Sequence, residues 1–110
     1  MKNGIYEATF TTSQGTLGNA AVMIKGRSFV GADGVHFYRG EIDSTPDESR
    51  VIMEVTRHNF TFESAFGSQA IFTLDWRGEA IGDTAFKLGC QPDGLDITIY
   101  VTGRLLTELD

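Results

Sequence analysis

Cysteine, proline, basic charge and long apolar runs are all scarce in this chain, and each scarcity excludes something. There is one cysteine, Cys90, so no intrachain disulfide can form. The N-terminus carries no signal-peptide pattern, and together with the lone thiol this leads us to expect a reducing cytoplasm. Asn59-Phe60-Thr61 matches a glycosylation acceptor, which means nothing in that compartment. No apolar run approaches the roughly 20 residues that cross a bilayer as a helix, so no membrane partner is expected. Lys and Arg number 9 against 15 Asp and Glu, for a net charge of -6, and the basic residues form no run. Phosphate binding needs a concentrated basic surface, so direct nucleic-acid binding is not expected either. Helical periodicity is missing throughout, which argues against crossover helices and a parallel sheet.

What remains is alternation. The 110 residues suit a single domain, residues 1–110, and a chain of this size buries roughly two thirds of its unfolded surface in one core. Two prolines and 13 glycines indicate many turns and little disorder. The longest alternating stretch is Val35–Phe60, read as strands Val35–Asp43 and Arg50–Asn59 around the acidic turn Ser44–Ser49. Pro46 has no amide donor and ends the first strand. On the return strand Val51, Met53 and Val55 share a face, opposite Ile52, Glu54 and Thr56, the period-two mark of one dry side.

The rest follows the same rule. Gly4–Thr12 puts Tyr6, Ala8 and Phe10 on one face, and Gly18–Lys25 aligns Ala20, Val22 and Ile24. Ser28–Gly31 is a short strand, followed by the hairpin signal Asp33-Gly34. Ser68–Arg77 places Phe72, Leu74 and Trp76 together, Gly78–Asp83 reads as a turn, and Thr84–Cys90 aligns Phe86, Leu88 and Cys90. Asp93-Gly94 repeats the hairpin signal before Leu95–Arg104, where Leu95, Ile97, Ile99 and Val101 alternate with polar residues. Phe60–Gly67 has no clear pattern, and Leu105–Asp110 reads as a tail or one helical turn. About eight short strands with sequential hairpins predict an all-β, eight-stranded antiparallel up-and-down barrel, with a two-sheet sandwich as the alternative. The expected core is Phe10, Val22, Met53, Val55, Leu74, Leu88, Ile97 and Ile99.

Chemistry-bearing patterns are few. His36 and His58 come near each other if the central hairpin pairs about Pro46–Asp47, but no further ligand is spaced to complete a metal site, and none is expected. Cys90 falls on an apolar face, which reads as a buried, inert thiol. There is no nucleophile elbow, Walker loop or dinucleotide fingerprint, so neither an enzyme nor a cofactor is expected. The aromatics are spread over most strands. Tyr6, Phe10, Tyr38, Met53, Phe72, Trp76 and Phe86 are the candidates for lining an interior cavity that would take a small apolar ligand.

Several short motifs in order carry a resemblance. Met1-Lys2-Asn3-Gly4-Ile5-Tyr6, then Phe10, Gly15 and Gly18, look like the opening of the GrlR family of type III secretion negative regulators. Ile24-Lys25-Gly26 and Gly31-Ala32-Asp33 resemble that family's glycine-glycine-aspartate hairpin, with Ala32 in place of the second glycine. Tyr38-Arg39-Gly40 is similar to its tyrosine-x-glycine strand, and Val55–Asn59 to the strand after its acidic loop. The resemblance is best over residues 1–60. It implies a lipocalin-like barrel, a homodimer, and a non-enzymatic regulator that binds a protein partner such as a transcriptional activator through an acidic loop. Pro46-Asp47-Glu48-Ser49 stands at that loop, with Asp47 and Glu48 keeping its acidic character.

Overall fold

In a computed structural model the chain closes into an eight-stranded antiparallel barrel, each strand paired with the next and β8 returning to β1. The structure describes residues 1–45, 48–62, 69–81, 83–92, 94 and 96–110, with the backbone alone for Ala80 and Ile81. The strands are β1 (Gly4–Thr12), β2 (Gly15–Lys25), β3 (Ser28–Ala32), β4 (His36–Ser44), β5 (Ser49–Arg57), β6 (Ile71–Ile81), β7 (Ala85–Cys90) and β8 (Ile99–Glu108). The up-and-down order is therefore the one that alternation predicts, and the sandwich is excluded. No helix among the described residues is long and apolar enough to cross a membrane.

Inward faces follow the parity of the sequence. Tyr6, Ala8 and Phe10 of β1, Val51, Met53 and Val55 of β5, and Leu74 and Trp76 of β6 are all buried. Burying a residue of this size gains about 1.5–3 kcal/mol, so the repeated dry face drives closure. The central hairpin pairs about Pro46–Asp47, as Ser44↔Ser49 and His36↔Arg57 show. At the β2–β3 turn Gly26 adopts φ 62°, a left-handed conformation that side chains resist. Two register shifts complete the circle. Leu17 is skipped between β1 and β2, and Leu106 between β1 and β8. Such bulges sharpen local twist, which closure requires, and both extra leucines stand exposed.

The ends of several elements differ from the sequence reading. Ile97 lies outside β8 and is 40 % exposed, so it is not part of the core. β8 begins only at Ile99, later than the Asp93-Gly94 signal implies, and Asp93 and the expected strand start Leu95 lie outside the described residues. Leu105–Glu108, read as a tail or helical turn, instead extends β8 against Gly4 and Ile5. Gly78 and its neighbours continue β6 rather than turning, because Gly78 pairs with Ser49 on one side and Leu88 on the other. The Ser68 start of that strand and most of the unpatterned Phe60–Gly67 segment lie outside the described residues; β6 begins at Ile71.

The contrast between Ile99 and Ile97 tests the register. Ile99 is fully buried, so Ile99→Ala should cost about 2–5 kcal/mol in denaturant unfolding. Ile97→Ala should cost less than about 1 kcal/mol. Equal losses would contradict this placement.

Candidate functional site

The two ends of the barrel are built differently. One end carries the β3–β4 turn, the residues after β5 and the β7–β8 connection. There the Asp33 carboxylate accepts from the amides of Val35 (2.8 Å) and His36 (2.7 Å), and from the Tyr38 hydroxyl. The short polar side chain thus shapes the turn, as Asp does where it can bond backbone two residues on. His58 Nε2 donates to the Asp33 carbonyl at 3.0 Å, and the His58 amide donates to Val35 O at 2.8 Å. His36 is 2 % exposed, with its ring edge-on to Phe72 and tilted against Tyr38. The two histidines do meet at this turn, joined through Asp33. Among the described residues no three His, Cys, Asp or Glu side chains are grouped to hold a metal ion.

The protein environment moves three ionisable groups here. Burial holds His36 below its usual range, opposed by the nearby Asp33 carboxylate and reinforced by Arg57 and His58. Burial, then the bond to Asp33, pushes the Tyr38 phenol well above its usual value. Burial pushes the Cys90 thiol up to about 12, so this side chain is a poor nucleophile.

The other half of the barrel holds an apolar cavity of about 70 Å³. Ala8 presents only a methyl to it, between its partners Ala20 and Gly103, which do not themselves line the space. The Phe86 ring lies against Gly103, where a Cβ would come within 2.1 Å of it. Phe10, Tyr38 and Trp76 pack tilted ring to ring, at 5.8 and 6.0 Å, and form the floor toward the Asp33 turn. Met1, Phe29, Ile42, Ser49 and Val51 extend the wall toward the β4–β5 hairpin. No charged residue lines the space.

Five of the seven cavity candidates stand in that wall: Phe10, Tyr38, Met53, Trp76 and Phe86. The other two do not. Tyr6 is fully buried but sends its hydroxyl to the Lys2 carbonyl at 2.6 Å, closing the N-terminal segment over the barrel. Phe72 packs on His36 at the opposite end. The space beside Ala8 escaped the sequence reading because it depends on how neighbouring strands meet; the inward Ala8 of β1 was its visible trace.

The acidic turn is split. Asp47 lies outside the described residues. Glu48 is half exposed, and its carboxylate stands 3.7 Å from the Arg77 guanidinium of β6. Arg77 also reaches Asp75, at 3.5 Å, and Asp75 pairs with Arg50 at 2.9 Å. Exposed pairs of this kind contribute little to stability and exchange readily with other charges. No protein-family model matches the chain, and no curated protein matches it.

The buried histidine makes stability depend on pH. A base held below its usual value binds its proton more readily when unfolded. Its contribution is complete above about pH 6.5 and declines as the pH falls below that. The denaturation midpoint should therefore be lower at about pH 5.5 than at about pH 7.5, and His36→Gln should shrink that difference. An unchanged difference in the variant would assign the acid sensitivity to other groups.

Proposed function

We propose that this protein is a non-enzymatic binding barrel that holds a small apolar molecule in its interior. The cavity above Phe10, Tyr38 and Trp76 carries the reading: a small space lined by uncharged side chains favours apolar occupants. Its volume is far below the roughly 300–1,000 Å³ of drug-sized sites, so the occupant is short. The poor nucleophilicity of Cys90 and the engagement of the Tyr38–Asp33 pair in a turn support a binding role over catalysis.

A second reading, regulation of a protein partner, draws support from the β4–β5 hairpin. Its half-exposed Glu48 sits at the position of the acidic loop in the family that the chain resembles, at the barrel end that the cavity adjoins. A basic surface on a transcriptional regulator would then compete with Arg77 for the carboxylate. Met23 pairs with Val30 on the outer face, and Val30 and Ile52 wall a shallow outer groove. These exposed apolar side chains support self-association as a homodimer.

Two measurements test these readings. Saturating n-hexane should raise the thermal midpoint of the wild-type protein, because a ligand bound only by the folded state stabilises it. Ala8→Val should abolish that rise by filling the gap; no rise in the wild type would defeat the cavity reading. Separately, changing Asp47 and Glu48 together to Ala should leave folding within about 0.5 kcal/mol and weaken capture of a partner from native extract, an effect that added salt mimics. Undiminished capture at low salt would remove the hairpin as the contact.

A further inference from the structure

The hydrogen-bonded ladder runs unbroken round the barrel, so anything that reaches the interior cavity enters at an end. Toward the Asp33 turn the way is filled by Phe10, Tyr38 and Trp76, packed ring to ring. Toward the β4–β5 hairpin, one of the lining side chains stands outside the strands. Met1 packs on the core and lines the cavity, but the segment Met1–Asn3 precedes β1. A few bonds hold that segment. The Lys2 amide donates to the Asp83 carbonyl at 2.9 Å, and the Tyr6 hydroxyl donates to the Lys2 carbonyl at 2.6 Å. Asn3 is tied on two sides. Its Oδ1 accepts from the Gly26 amide at 2.8 Å, and its carbonyl accepts from the Leu109 amide at 2.9 Å.

We infer that Met1–Lys2 is a hinged strap that gates the cavity, swinging about Asn3 to admit an apolar occupant and closing over it with the Met1 side chain. This rests on the cavity reading above and adds the route of entry. The hinge lies at Asn3 because its bonds to Gly26 and Leu109 anchor it there. Gly4, the next residue, is fixed against β8, where a Cβ would collide with the Thr107 carbonyl. Opening leaves no buried group without a partner. The Tyr6 hydroxyl lies 3.4 Å from the Asp83 carbonyl, the acceptor that the Lys2 amide vacates as the strap lifts. The fully buried phenol therefore exchanges Lys2 for Asp83, and the Lys2 groups pass into water. An orphaned hydroxyl, the costly alternative, is avoided. The Lys2–Glu108 pair, at 3.8 Å and exposed, restrains the strap only weakly. Return of Met1 to the core favours closing. A segment held by so few contacts opens locally well short of global unfolding.

Exchange of n-hexane tests the gate, in protein carrying carbon-13 at its three methionine methyls. Rates of binding and release are read by NMR from exchange between free and bound methyl signals. The Met1 methyl should shift when hexane binds. Both rates scale with the open fraction of a mostly closed strap, and that fraction cancels in Kd. Tyr6→Phe removes the latch to Lys2. Association and dissociation should both quicken by roughly two- to tenfold, as loss of one neutral hydrogen bond allows, with Kd little changed. Asn3→Ala releases the Gly26 amide and should act in the same direction; it decides alone if Tyr6→Phe does not fold. His58→Ala loosens the Asp33 turn at the opposite end and should leave both rates as they are. Rates unmoved by Tyr6→Phe and Asn3→Ala would overturn the gate while leaving the cavity standing. So would exchange quickened as much by His58→Ala, or a raised Kd with unchanged association, which would make the segment a wall only. No binding of hexane by the wild type would remove the cavity reading, and this inference with it.

Discussion

Closure of the ladder between β1 and β8 is the constraint on which everything else rests. An open meander of eight strands would present two edges to other chains, and closure removes both. It also fixes the interior. Once each strand has two neighbours, its inward positions meet at set levels, and no strand can slide by one residue without turning its dry face outward. The backbone accommodates this curvature at Gly40 and Gly78. A Cβ at either would meet the carbonyl of the neighbouring strand at 2.0 or 2.1 Å, a contact that no side-chain movement relieves.

Within that fixed interior the two halves do different work. Toward the β3–β4 turn, Asp33 gathers two amides and a phenol, and His58 ties the turn to the strand end beyond β5. Such a network stiffens its end of the barrel because loss of any partner leaves another polar group unpaired. Toward the β4–β5 hairpin the interior beside Ala8 is underfilled. Phe86 covers Gly103, while Phe10, Tyr38 and Trp76 pack on one another.

The strands were legible wherever alternation and pairing coincide. Val51, Met53 and Val55 read as a dry face because polar residues on both sides fix the parity, and the structure keeps them inward. Ile97 shows that alternation is necessary but not sufficient: it continues the pattern of Ile99 and Val101 into a segment that no neighbour pairs. The end of β8 failed for the opposite reason. The bulge at Leu106 interrupts the parity, so a paired strand looks patternless. Gly78 reads locally as a turn residue, and only its neighbours Ser49 and Leu88 hold it in a strand. The candidate site was partly legible on the same terms. A list of inward aromatics found the walls of the cavity. Its existence depends on how side chains from different strands meet around Ala8, and the Glu48–Arg77 pair depends on the β5–β6 register, neither of which a single strand displays.

The placement of the cavity gives the two functional readings a common physical basis. Ile42, Ser49 and Val51 wall the cavity and also form the stem of the β4–β5 hairpin. At the stem's last pair, Ser44 and Ser49 are joined by both ladder and hydroxyls, so the tip is carried on a short, well-bonded base. An occupant that presses on Ile42 or Val51 therefore acts on the segment that presents Glu48. An occupant indifferent to the position of that segment moves nothing. The opposing restraint is also small. The Glu48–Arg77 pair is exposed and screened, so holding the tip against β6 takes on the order of 1 kcal/mol or less. A weak restraint on the outside and a small apolar contact on the inside are comparable in size.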